Sequence, residues 1–210
     1  MMRSALLTGF MCLAAISTQS AWAENSKGFQ LTIDGKQTGI NVGETVTVTT
    51  GDGKEIKVAL ERSKFATASG ALFSFDHPGD LNPAKTEISR GITQYFLTSA
   101  TGTSVIVQEY DRSDADSIAS RMIKGFTNDD RKAGAKIKET PTERKLESGK
   151  TLKGMKAVIG RKSTHLIREA FSTVNGNKGI VILTRFNEDN SPAEERAVID
   201  TFWKSLKINL

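Results

Sequence analysis

Residues 152–186 read LKGMKAVIGRKSTHLIREAFSTVNGNKGIVILTRF, three apolar-rich segments held apart by two tight turns. The segments are Leu152 to Ile159, His165 to Thr173 and Gly179 to Phe186. Gly160-Arg161-Lys162 and Asn175-Gly176-Asn177-Lys178 separate them, in the glycine and asparagine chemistry that reverses a chain within a few residues. Strands joined so tightly must run antiparallel, because a parallel pair needs a crossover. Ile137 to Lys145, ahead of Ser148-Gly149-Lys150, adds a fourth strand. An antiparallel meander follows.

Working outward, Leu72-Phe73-Ser74-Phe75 reads as a short strand ended by Asp76-His77-Pro78-Gly79, where the proline disfavours further pairing. Ile92 to Leu97 and Ser104 to Tyr110 read as two strands across a Thr-Gly-Thr turn. The unbroken apolar run Val105-Ile106-Val107 suits a central strand covered on both faces. A helix is expected from Ser113, with Ala115, Ile118, Ala119, Met122, Ile123 and Phe126 on one apolar face. A second is expected from Ser191-Pro192-Ala193-Glu194, which has the form of a capping box with proline at the first helical position. Val198, Phe202 and Leu206, widened by Ile199 and Trp203, form its buried stripe. Each helix is apolar on one side, so each should lie against a sheet. Tyr95 and Phe96 adjoin on one strand, so one of them faces the sheet's other side; with a helix covering that side, both are packing residues.

Upstream, Phe29, Leu31 and Ile33 alternate with polar residues and stop at Asp34-Gly35. Val46 and Val48, the turn Gly51-Asp52-Gly53, then Ile56, Val58 and Leu60 give a hairpin. Residues 61–71 show no period and read as a connector. At the start, Arg3, the apolar stretch Ala5 to Ile16 and the ending Ala21-Trp22-Ala23 make a secretory signal cleaved before Glu24. The apolar stretch falls short of the roughly 20 residues a spanning helix needs. Gly9-Phe10-Met11 before Cys12 does not suit lipid attachment. The expected organisation is a signal over 1–23, a β-hairpin extension over 24–66 and an α+β domain over 67–210. The expected location is periplasmic or secreted, with no membrane span.

Cys12 is the single cysteine and leaves with the signal. The mature chain then has neither disulfide nor thiolate, and its stability must come from a core. At this length about 70% of the unfolded surface can be buried. Charge runs to 29 basic and 24 acidic residues, a net +5, with the two signs interspersed. No stripe of basic and aromatic residues suggests nucleic acid.

Chemistry is sparse. His77 and His165 are the two histidines. His77 beside Asp76 is a loop histidine, partly exposed, that lacks a nucleophile elbow to serve. His165 reads as a solvated strand residue. Asp111 to Asp116 and Asn187 to Ser191 are acidic runs without the glycine and distal glutamate of a calcium loop. No catalytic residue, metal site or cofactor is expected. Lys150, Lys153, Lys156, Arg161 and Lys162 cluster along one stretch, and some of these side chains could share a face and bind an anion.

Phe73-Ser74-Phe75-Asp76-His77-Pro78, Ser104-Val105-Ile106-Val107 before the first helix, and Ile180-Val181-Ile182-Leu183-Thr184 before Pro192 together resemble the PsbP/DcrB-like group. The resemblance spans residues 72–210. It implies an α/β/α sandwich, an antiparallel sheet covered by two amphipathic helices, here preceded by hairpins. It also implies a non-enzymatic protein that binds or helps assemble an envelope partner. The alternative function is a binder of anionic small molecules, glycans or lipid head groups.

Overall fold

A computed structural model describes residues 27–111, 118–161, 164–189 and 191–210. The expected signal over 1–23 and the start of the first helix, Ser113 included, lie outside the described residues. The chain divides into two compact units between Glu61 and Arg62.

In the first unit, β1 (Phe29–Ile33) pairs with β2 (Lys36–Ile40), and β3 (Thr45–Thr49) pairs with β4 (Glu55–Ala59). Asp34 and Gly35 both take positive φ, 48° and 79°, as a two-residue turn matched to strand twist requires. The Asp34 carboxylate accepts a hydrogen bond from the Gly51 N–H at 2.7 Å, tying the hairpins together. Ile40 and Val48 are buried.

The second unit is built on a seven-stranded antiparallel sheet. Its strands are β7 (Ala84–Ser89), β8 (Ile92–Thr98), β9 (Ser104–Tyr110), β10 (Lys136–Lys145), β11 (Thr151–Arg161), β12 (Thr164–Asn175) and β13 (Lys178–Asn187). The spatial order is β10-β11-β12-β13-β9-β8-β7. The expected meander is present, and β13 stands at the centre. Ile180, Val181, Ile182 and Leu183 are all buried there, since both faces of a central strand are covered.

The α/β/α sandwich expected from the sequence is not what forms. The protein is mostly β, and a second sheet does much of the covering. β5 (Phe65–Ser69), β6 (Phe73–Pro78) and β14 (Lys207–Ile208) make a three-stranded sheet in the order β14-β6-β5. The expected connector over 61–71 thus contains a strand. Its small residues, Ala66, Thr67, Ala68 and Ser69, weaken the alternation that would have shown it. The helix α2 (Ala193–Ser205) packs chiefly on β6 and reaches the large sheet at β9 and β13. Phe73, Phe75, Phe202 and Trp203 meet Val105, Val107, Phe171, Ile180 and Ile182 in one core. The helix α1 (Ile118–Lys132) lies on the opposite face, over β11 and β12. Ala119 and Ile123 meet Ala157, Ala170, Val181 and Leu183 there.

Two local expectations fail as well. Ser191 does not cap α2: its hydroxyl donates to the Asn187 carbonyl, and Pro192 holds the N-cap position without a side-chain bond. Phe126, expected on the buried face of α1, is 40% exposed.

Candidate functional site

Strand spacing is about 4.8 Å and a helix is about 10 Å across. One helix therefore covers two or three strands, and seven strands leave a strip open. On the α1 face that strip runs over β13, β9 and β8. Cross-strand register sets its floor in two rows. Phe96, Ile106, Leu183 and Ala170 stand opposite one another in an apolar row. Thr98, Ser104, Arg185 and Arg168 form the polar row beside it. Phe126 of α1 forms a wall, and the groove encloses about 230 Å³.

Of the adjacent pair expected to be packed, Tyr95 is buried and Phe96 is 36% exposed, because α1 lies over β11 and β12. Arg168 is held by Asp130 of α1 at 2.8 Å, both largely out of solvent. Arg185 is exposed and forms no ion pair among the described residues. The groove thus offers two aromatic rings, two aliphatic side chains and one guanidinium without a carboxylate. Further along the same face, Tyr110 donates to Gln108 at 2.6 Å, and Gln108 donates to Gln94 at 2.7 Å. Burial raises the Tyr110 pKa, opposed by the charge of Arg121.

On the other face, Arg144 and Glu169 pair at 3.1 Å, with the guanidinium carbon 4.3 Å from the Trp203 ring centroid. Arg144 Nε and Trp203 Nε1 are buried without a hydrogen-bond partner. Glu195, in the first turn of α2, accepts from the Ser99 hydroxyl at 2.5 Å. Burial pushes its pKa up, but hydrogen bonds from Ser99, Thr101 and Thr103 outweigh that and hold it below the ordinary value.

The two histidines are placed differently from expectation in one case. His77 is not a partly exposed loop residue: it points inward from β6, 4% exposed, its Nδ1 2.9 Å from the Pro78 carbonyl oxygen. Alternation along β6 sends Asp76 the other way, where it accepts from Thr67 at 2.6 Å. That geometry separates Asp76 from the His77 ring. His165 is exposed, as expected, with Nδ1 2.7 Å from Asp189 Oδ2. His165 in turn holds the Asp189 pKa below its ordinary value. No group of three acidic, histidine or cysteine side chains placed to hold a metal occurs among the described residues.

Of the suspected anion-binding set, the sheet divides the members it places. Lys150 lies in the β10–β11 turn. Lys153 and Lys156 are three apart on one strand and so face opposite ways. Lys153 shares the α1 face with Met155 and Ala157, whereas Lys156 pairs with Thr140 and Glu169 on the α2 face. Arg161 ends β11, and its side chain, like Lys162, is outside the described residues.

No family model and no curated protein matches this chain. Among solved structures, a protein from Bacteroides thetaiotaomicron VPI-5482, determined at 1.50 Å resolution, is similar at 17% identity. The match covers 71% of this chain and 49% of that one, with a TM-score of 0.35. This chain therefore spans about half the length of that protein. No helix among the described residues is long and apolar enough to cross a membrane.

Proposed function

We propose that this is an exported, non-enzymatic binding protein of the cell envelope, and that its groove on the α1 face docks a partner polypeptide. The observation that carries this reading is the pairing of exposed Phe96 and Phe126 with unpaired Arg185 in one groove. Aromatic residues and arginine dominate the energetically decisive contacts of protein interfaces. Small-molecule sites usually enclose about 300–1,000 Å³. At about 230 Å³ the groove has room for an inserted side chain rather than a whole ligand. An apolar side chain next to a carboxylate would match the apolar row and Arg185 together. The stretch 1–23, which reads as a secretory signal, supports the same reading.

A photo-cross-linking residue at position 126 tests it in the native envelope. One protein should be trapped there. Phe96→Ser should cut the yield at least several-fold, in keeping with loss of an interface anchor. Equal yield with Phe96→Ser, or the same protein trapped equally from position 88 on β7, would overturn the reading.

A further inference from the structure

The α2 face is also incompletely covered, and its open end has the opposite chemistry. Trp203 of α2 lies under the Arg144 guanidinium and meets Phe171 edge to face. Beyond them, toward the other end of β10, β11 and β12, register gathers Lys136 opposite Gly160, Lys138 opposite Val158, and Gly160 opposite His165. Thr140 opposite Lys156 adds a third lysine to the same face. A cleft of about 600 Å³ is lined by Lys136, Lys138, Val158, Gly160 and His165, and Lys156 lies further along the same face, outside that lining.

The carboxylates nearby are already engaged or turned away. Glu139 and Glu143 alternate with these lysines along β10 and face α1; Glu139 is bound there to Thr127 and Arg131 at 3.0 Å each. Glu169 is held by Arg144, and Asp189 accepts both the backbone N–H and the Nδ1 of His165 at 2.7 Å. Nδ1 being so engaged leaves Nε2 as the ring's other nitrogen. Lys136, Lys138 and Lys156 form no ion pair among the described residues. Lys136 and Lys138, with no ion-pair partner among the described residues, concentrate positive potential over the concave floor, whereas Lys156 stands opposite Glu169.

We infer that this cleft binds phosphate-type anions through Lys136 and Lys138, with His165 in its lining and Lys156 adding positive charge beyond its edge. The volume falls within the range of small-ligand sites, and ammonium groups bind phosphate as point charges. The cleft lies on the opposite side of the sheet from the groove, so the inference stands apart from the docking reading. The shared chemistry is the phosphate group, whether carried by a lipid head group or by a free phosphorylated molecule.

The test uses the mature chain and two probes. Tripolyphosphate is titrated by calorimetry, and vesicles of phosphatidylglycerol in phosphatidylcholine are used for co-sedimentation, each at low and at high salt. At least one probe should bind, and binding should weaken as salt rises. The double variant Lys136→Ala/Lys138→Ala should lose about tenfold or more in affinity, since each lysine near an anionic surface contributes on the order of a factor of five. Gly160→Asp should remove binding: a Cβ there meets nothing closer than the Lys136 carbonyl oxygen at 3.7 Å, so the carboxylate fits without displacing the backbone. Lys153→Ala, on the opposite face, should bind as the parent does. Binding of tripolyphosphate alone would assign a free phosphorylated ligand, and binding of vesicles alone a lipid surface; either supports the cleft. Failure of both probes, or equal loss in Lys153→Ala, would overturn it.

Discussion

The helices α1 and α2 carry similar sequence patterns and meet different fates. Buried positions on α2 include Val198, Ile199, Phe202 and Trp203; on α1 they are Ala119, Ile123, Thr127 and Asp130. α2 contributes to a core shared by two sheets, whereas the core under α1 is made with the large sheet. A large aromatic is therefore enclosed on α2 and left at a groove on α1. Periodicity tells which side of a helix is apolar; the number of layers around the helix decides how much of that side is buried. Where the covering is narrower than the sheet, apolar surface remains for another molecule.

Four substitutions break or sharpen that contrast, beginning with the largest effect. Phe202→Ala should cost about 3–5 kcal/mol, as for a fully buried aromatic, measured by chemical denaturation. A loss under about 1 kcal/mol would mean that the two-sheet core is not where stability resides. Gly154→Ala comes next. Its Cβ would lie 2.1 Å from the Ala170 carbonyl oxygen and 2.7 Å from the Phe171 ring. Overpacking against backbone should cost about 2–3 kcal/mol; at Gly160, on the same strand, an added Cβ would meet only the Lys136 carbonyl oxygen at an ordinary contact distance of 3.7 Å.

The third concerns acid. Glu195 has a folded pKa held below its ordinary 4.5, so its contribution is present above the unfolded pKa and is lost as pH falls through the folded one. Unfolding midpoints followed from pH 7 downward should drop below about pH 4.5 for this group. Glu195→Gln should be less stable than the parent at neutral pH and show a shallower acid decline. An unchanged decline would remove Glu195 from the account. The smallest stability effect belongs to Phe126→Ala, under about 1 kcal/mol, because 40% of the residue is exposed. A larger loss would show that Phe126 is a core residue and not a docking one.

Much of the large sheet was legible in the sequence. The turns at 148–150, 160–162 and 175–178 force an antiparallel meander, and the apolar run at 105–107 marks a central strand. Less legible was β5, whose Ala-Thr-Ala-Ser composition gives a weak period, and with it the second sheet that overturned the sandwich. His77 was misplaced for a related reason. Its neighbours Asp76 and Pro78 suggest a loop, yet the alternation Phe73, Phe75, His77 continues the inward side of β6. The groove could have been foreseen by arithmetic: seven strands span roughly 30 Å and one helix about 10 Å. The basic cleft was partly legible. The sequence shows Lys153 and Lys156 together, yet odd spacing on a strand separates their faces, and Lys136 and Lys138 come from another strand that only register brings near.

The order β10-β11-β12-β13-β9 also bears on how the chain reaches this state. Neighbours from β10 to β13 are joined by short turns, so their contacts close small loops and can form early. The β13–β9 ladder, with Val107 opposite Ile182, closes only after the intervening helix and meander have been gathered in. Such distant pairing is slow because chain entropy is spent before contacts compensate it. Val107→Ala should therefore accelerate unfolding with little change in the folding rate if the ladder forms late. Equal slowing of folding would place the ladder in the nucleus instead.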